Sequence, residues 1–338
     1  MSKQFLQHKY QILEKIGSGS FGSVRKVLDL STNTYLVRKE IKFSHMSIKE
    51  RQQLINECKI LSSLKHPNIV EFVTFDYKDG VVYIYMEYCD GGDLSHLIRD
   101  FREKYKKKMP EYLIWRILVQ ISLALWRCHY GLDYPHLNLI FDKVKKPESN
   151  NHDAIVIHRD IKPGNIFLTN IKDGYPFNEV MAKLGDFGLA KSLKSKNQFA
   201  TTYVGTPYYM SPELLKDKPY SPLSDVWSLG CCIYEMCSLR PPFKGAKNFT
   251  DLENRIVAAV YEPVSDFYSK SLRNIIDRCI TVDLRDRYSV MDILNDIQAK
   301  IMAKSLQLEL FEKQLLAYEK ELVNIEKHLE QRVTENRY

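Results

Sequence analysis

Apolar and polar positions alternate along the first third of the chain. Tyr10 to Ile16, Gly22 to Leu28 and Thr34 to Phe43 carry β-branched or aromatic residues at roughly every second place, with Gly- and Ser/Thr-rich turns between them. This predicts neighbouring strands of a small antiparallel sheet. From Ile48 to Leu64 the apolar spacing lengthens to that of a helix, which His66-Pro67-Asn68 ends, and two more strands are predicted near Val70 to Phe75 and Val81 to Glu87. Beyond Asp93 helical spacing dominates. Strands with one helix first and helices later predict an α+β chain in two lobes: a small sheet lobe over residues 8–88, a hinge over 87–92 and a larger helical lobe over 93–300.

Two stretches depart from this plan. Residues 131–153 interrupt the helical pattern with Pro135, Pro147, Asn150 and Asn151 and read as a loop insertion. Near the C-terminus Leu308, Phe311, Leu315, Tyr318, Leu322, Ile325 and Leu329 recur at alternating spacings of three and four, which is about three heptads of a coiled coil within 305–338. That segment serves a homodimer or a heteromer, or else is an amphipathic helix folded back on the larger lobe. In a parallel homodimer Glu321 at g would face Glu326 at the partner's e position, a like-charge contact that weakens pairing.

Composition narrows the class. The 338 residues are 44% hydrophobic and 27% charged, enough for one large two-lobed domain and an appendage. A formal charge of +7 is spread along the chain, Lys104 to Lys108 reads as a solvated helix end, and no nucleic-acid partner is expected. Seven Cys, without C-x-x-C spacing and mostly within apolar stretches, predict buried free thiols in a reducing compartment rather than disulfides or zinc. Met1 to Tyr10 lacks the apolar core of a signal peptide and the longest apolar run, Val226 to Tyr234, is too short to span a membrane, so an intracellular, soluble protein is expected.

The candidate chemistry is phosphoryl transfer. Gly17-Ser18-Gly19-Ser20-Phe21-Gly22-Ser23-Val24 falls between the first two strands, where glycines let a backbone approach nucleotide phosphates; a strand follows, not the helix a dinucleotide fold would need. Lys39, on the third strand, places an ammonium for the phosphates, with Glu57 on the Ile48 to Leu64 helix as its expected partner. His158-Arg159-Asp160-Ile161-Lys162-Pro163-Gly164-Asn165 precedes Asp186-Phe187-Gly188 by twenty-one residues. Asp160 is suited to orient a substrate hydroxyl and Lys162 to neutralise the migrating phosphoryl group, while Asn165 and Asp186 offer hard oxygens to Mg2+. ATP and Mg2+ are the expected cofactors.

These motifs resemble the Gly-rich loop, catalytic loop and metal-binding turn of protein kinases, and so imply a two-lobed protein-kinase-like fold. Lys162 is the form found in serine/threonine kinases. The resemblance further implies that Val37 roofs the adenine, where Ala is commoner, that Met86 is the gatekeeper, that Glu87 and Cys89 offer backbone bonds to adenine, and that Val24 and Asp93 complete the nucleotide site. His158 and Phe187 would pack in a column with Leu61. Gly205-Thr206-Pro207-Tyr208-Tyr209-Met210-Ser211-Pro212-Glu213 is similar to the end of an activation segment, with Ser where Ala is usual. Glu213 would pair with Arg287, Asp225 would hold the catalytic loop, and Thr206 would bond Asp160 and Lys162. Thr202, or alternatively Thr201, is the expected regulatory phosphosite, its phosphate pairing with Arg159.

More narrowly, Lys65-His66-Pro67-Asn68-Ile69-Val70, Met86 to Leu94, Lys183 to Ala190 and Phe199 to Pro207 resemble the NIMA-related kinases over residues 8 to about 300, with Arg51-Gln52-Gln53-Leu54 and Arg127-Cys128-His129-Tyr130 closest to fungal members. That implies protein substrates, a mitotic role and residence in nucleus and cytoplasm, including the spindle pole. The alternatives are a pseudokinase or scaffold acting through the C-terminal coiled coil, and a small-molecule phosphotransferase.

Overall fold

The computed structural model describes residues 9–19, 22–42, 46–135, 139–147, 156–171, 177–187 and 207–335. Five strands, β1 (Tyr10–Gly19), β2 (Gly22–Asp29), β3 (Thr34–Lys42), β4 (Phe72–Lys78) and β5 (Val81–Glu87), form an antiparallel sheet of order β1-β2-β3-β5-β4. Helix α1 (Ile48–Ser63) joins β3 to β4 and packs on one sheet face, where Leu54 and Cys58 bury against Ile41, Val82 and Ile84. Period-two alternation leaves Tyr10, Val27, Leu36 and Tyr85 to form a second small cluster.

Two boundaries differ from expectation. β4 starts at Phe72 rather than Val70, because Ile69 bridges Leu184 and the Val70 N–H donates to the Leu184 carbonyl, tying this stretch to a different strand. β1 runs on to Gly19 because pairs Ser18 with Ser23 and Gly19 with Gly22 carry its ladder into the turn.

The helical lobe holds α2 (Leu94–Asp100), α3 (Glu111–Tyr130), the hairpin of β6 (Ile166–Thr169) and β7 (Met181–Leu184), then α4 (Pro212–Leu215), α5 (Pro222–Ser238), α6 (Phe249–Val257), α7 (Lys270–Cys279), α8 (Val290–Asn295) and α9 (Ile297–Glu335). α3 and α5 are apolar on nearly every side and form the centre of the main core. At the start of α5 the Ser224 hydroxyl accepts the Ser221 N–H at 3.2 Å, and Ser289 starts α8 with a full capping box completed by Asp292. All seven Cys are free and buried. No helix among the described residues is long and apolar enough to cross a membrane.

The described parts of the 131–153 stretch carry neither helix nor strand, and they are anchored. Val144 is buried and exchanges two bonds of 2.9 Å with the Asn295 amide, while the Lys300 ammonium donates to the Asp142 carbonyl at 2.6 Å. α9 starts earlier than the coiled-coil pattern does. Its first turns bury Ala299, Met302 and Ala303 in the core, and Glu309 takes a bidentate pair from the buried Arg116 of α3 at 2.7 and 2.9 Å. Past that contact residues 310–332 are exposed.

Candidate active site

The site lies where the hinge, the β6–β7 hairpin and the segment before β6 meet. Contacts that join the lobes there include Lys183 with Glu87 at 2.8 Å, and Leu184, which accepts from Val70 and donates to Asn68. Cross-strand partners Val24 with Lys39, and Val37 with Met86, put these four residues on one face of the sheet.

The segment 158–165 has no regular structure of its own until the 3-10 turn Pro163–Asn165, so other groups must hold it. Asp225 of α5, fully buried, accepts from the His158 N–H at 2.9 Å and the Arg159 N–H at 3.0 Å. His129 of α3 bonds the same carboxylate at 3.0 Å. The His158 ring faces the Gly185 carbonyl through Nε2 at 2.9 Å and the Asp160 N–H through Nδ1 at 3.2 Å. A carbonyl can only accept, so Nε2 carries the proton and the ring is neutral. Burial holds its pKa below the usual value, and Phe187 packs on it with ring centres 4.6 Å apart. Leu61 packs against the same core.

This frame presents the Asp160 carboxylate at the cleft. Lys162 Nζ donates to its Oδ2 at 3.0 Å, and Asn165 Nδ2 donates to Oδ2 at 3.1 Å and to the Asp160 carbonyl at 2.7 Å. With its NH2 group committed to Asp160, Asn165 keeps a neutral amide oxygen as its remaining polar atom. Asp186 adopts a left-handed backbone, φ 57°, and receives Lys39 Nζ on Oδ1 at 2.6 Å, across 147 residues of sequence. A carboxylate and an amide oxygen are the hard donors that Mg2+ takes, usually alongside water and phosphate, so the residues present fit that ion.

The glycines of the β1–β2 turn do different jobs. A Cβ on Gly22 would stand 1.8 Å from the Glu40 carbonyl, so the sheet itself demands glycine there. On Gly17 a Cβ would meet Val24 at an ordinary 3.6 Å, so packing does not demand glycine at that position. Asp93 caps α2, taking the His96 N–H at 3.1 Å and the His96 ring at 2.7 Å. Burial pushes the Cys89 thiol up to about 12, which makes it inert.

Glu213 and Arg287 form the expected pair, bidentate at 2.8 and 3.0 Å and buried, with Ser224 donating to Glu213 at 2.7 Å. Burial alone would raise the Glu213 pKa, but these bonds hold it below the usual range. Ser20, Phe21, Thr201, Thr202 and Thr206, and the side chain of Glu57, lie outside the described residues; Gly19 ends β1 and Ser18 is exposed on it. His129, Gln120 and Arg116 were not legible as site residues. The Gln120 side chain accepts from Ala182 N at 2.7 Å, and Arg116 and Gln120 both donate to the Val180 carbonyl, fixing the strand that leads to Asp186.

A small antiparallel sheet over a helical lobe, with these polar groups gathered at the junction, is the architecture of a phosphotransferase cleft. Residues 10–297 match the family described as protein kinase domain, and the chain belongs to that family. Among curated proteins it is 42% identical to the G2-specific protein kinase nimA of Emericella nidulans over 89% of this chain and 42% of that one. It is 40% identical to the G2-specific protein kinase fin1 of Schizosaccharomyces pombe over 89% and 41%, and 38% identical to the serine/threonine-protein kinase Nek2 of Homo sapiens over 87% and 60%. The chain thus spans about two fifths of the length of the two fungal relatives. The NIMA resemblance seen in the motifs is therefore shared by whole-domain similarity.

Proposed function

We propose that this chain is an ATP- and Mg2+-dependent serine/threonine protein kinase. The observation that carries the reading is the convergence, through direct hydrogen bonds, of Lys39 on Asp186 and of Lys162 and Asn165 on Asp160 in one cleft. Bound Mg2+–ATP supplies the γ-phosphoryl group and the cation that offsets its charge. Asn165 and Asp186 would hold the ion, Lys39 with Glu57 the α- and β-phosphates, and Gly17 to Gly22 the phosphate edge. Val24, Val37, Met86, Glu87, Cys89 and Asp93 would bound the nucleoside.

Asp160 orients the acceptor hydroxyl and takes up its proton at Oδ1 or Oδ2, and Lys162 lies close enough to offset charge on the group in transfer. Asp225, His129 and His158 keep the loop in register for this, so they position rather than react. Thr202, or Thr201, is the proposed control site, through Arg159. The relatives described as G2-specific support a cell-cycle role; a mitotic role, and residence in nucleus and cytoplasm including the spindle pole, are proposed from the family resemblance alone.

Transfer of labelled phosphate to casein tests the reading. Wild type should label it and Asp186→Ala should not, with both proteins giving the same thermal midpoint; equal labelling would sink the proposal in favour of a scaffold.

A further inference from the structure

Between α3 and the catalytic loop the chain turns large apolar side chains outward. Leu139, Ile140 and Phe141 are consecutive and all exposed, Phe141 to 88%. Single exposed apolar residues are ordinary, but three together at one turn form a patch that no described residue covers.

The turn is held in one shape. The Asp142 N–H donates to the Leu139 carbonyl at 3.1 Å, and Asp142 Oδ2 accepts the Leu139 N–H at 3.0 Å, closing 139–142 on itself. Lys300, only 5% exposed, directs its ammonium to the Asp142 carbonyl, and the Asn295 amide takes both backbone groups of Val144. A partner would therefore meet a surface already set and lose little entropy in ordering it.

The flank says what kind of partner. Val144 is buried while Lys143 and Lys145 on either side of it are exposed, the alternation of an extended segment, and Lys146 is exposed as well. None of the three lysines has an acidic partner among the described residues. Apolar anchors beside a row of unpaired cations are complementary to apolar side chains beside carboxylates. A bilayer could take up Phe141 but has no use for a turn fixed in one shape, and a nucleic acid would leave the apolar tip in water.

We propose that residues 139–146 are a docking surface for an acidic segment of another protein. That segment sets apolar side chains against Leu139, Ile140 and Phe141, and Asp or Glu two residues apart against Lys143 and Lys145. The preference for acid falls as salt screens it.

The test uses the whole chain and two labelled peptides of about twelve residues with the same Leu and Ile at alternate positions, one with Glu and one with Lys between them. By fluorescence anisotropy at low salt the Glu peptide should bind about tenfold or more tightly than the Lys peptide, the ratio shrinking as salt is added. Phe141→Ser should weaken the Glu peptide by about tenfold, and the triple variant Lys143→Glu/Lys145→Glu/Lys146→Glu should reverse the order of the two peptides. Both variants should keep the wild-type thermal midpoint and casein labelling, since these exposed side chains touch neither the core nor the cleft. Equal binding of the two peptides, binding of neither, or Glu-peptide binding that Phe141→Ser leaves unchanged would overturn the proposal. So would tighter binding to vesicles of phosphatidylcholine and phosphatidylserine, or to single-stranded DNA, that the triple variant abolishes. Casein labelling is read separately, so a failure here leaves the kinase reading untouched.

Discussion

Asp225 and Asp186 are both aspartates of the helical lobe, and they could hardly be treated more differently. Asp225 has no exposure and its two oxygens are filled by two backbone N–H groups and a histidine; Asp186 is 43% exposed and has one cation, Lys39, on one oxygen. The Glu213–Arg287 pair follows the first pattern; Asp160, its side chain 20% exposed, faces the cleft with Lys162 and Asn165 on one oxygen. Saturated, buried charge fixes a shape, because any proton or partner lost there leaves a bare charge in a poorly polarisable interior. Unsaturated charge at a cleft is free to meet a substrate, and stability pays little for it.

The contrast is sharpest under mutation. Asp160→Asn should lower phosphoryl transfer by about 10²–10⁴-fold, the range of a lost acid/base group, while the urea midpoint stays within error of wild type. Arg287→Ala should do the reverse at the outset: it strands Glu213 and should cost about 3–5 kcal/mol of stability, read as a lower urea midpoint. If Asp160→Asn unfolds the chain, or Arg287→Ala leaves the midpoint unmoved, the division between the two kinds of carboxylate fails.

Much of this plan was legible from spacing. The strands, α1 and the cleft residues Lys39, Asp160, Asn165 and Asp186 stand at separations that the two-lobed resemblance interprets, and the described ones do gather. Asp225 was expected from the resemblance to hold the catalytic loop, but His129, Arg116 and Gln120 were not legible, since each acts through a pairing across long sequence distance with no period to betray it. His129 reaches Asp225 across 96 residues and Arg116 reaches Glu309 across 193. Docking of the 131–153 stretch through Val144 and Asn295 likewise depends on where two loops meet in space, which polar or proline content does not encode.

Acid should separate the same two regions more gently. Burial holds the His66 ring at about 4, below its ordinary 6.5, and its Nδ1 accepts the Asn68 N–H at 3.0 Å. Between those values the unfolded chain binds a proton that the folded chain refuses, so stability falls as pH drops through 6.5 toward 4. His158, also depressed by burial, adds in the same direction. Glu213, held below its ordinary 4.5, contributes loss only at lower pH, whereas Glu235, raised by burial, opposes the histidines over the step from pH 7 to 5. That step should cost about 1–2 kcal/mol from His66 after allowance for its partial exposure, and His66→Gln should remove that part of it. Identical pH profiles for the two proteins would show that His66 does not titrate as its surroundings dictate.

The smallest effect concerns Ser211, which stands in the Ser-Pro-Glu segment beside the saturated pair. It is fully buried, and its hydroxyl has no hydrogen-bond partner among the described residues. Neither side of the comparison fits it: it is buried like Asp225 but unsatisfied like a cleft group. A buried hydroxyl without a partner costs desolvation that nothing returns, about 1–3 kcal/mol in general, whereas a methyl group in its place leaves nothing unsatisfied. Ser211→Ala should therefore be neutral or stabilising by up to about 1 kcal/mol, and should leave casein labelling at the wild-type rate. A clear loss of stability would mean that the hydroxyl bonds a group in residues 188–206, making Ser211 part of the activation segment's anchorage rather than a tolerated departure from alanine.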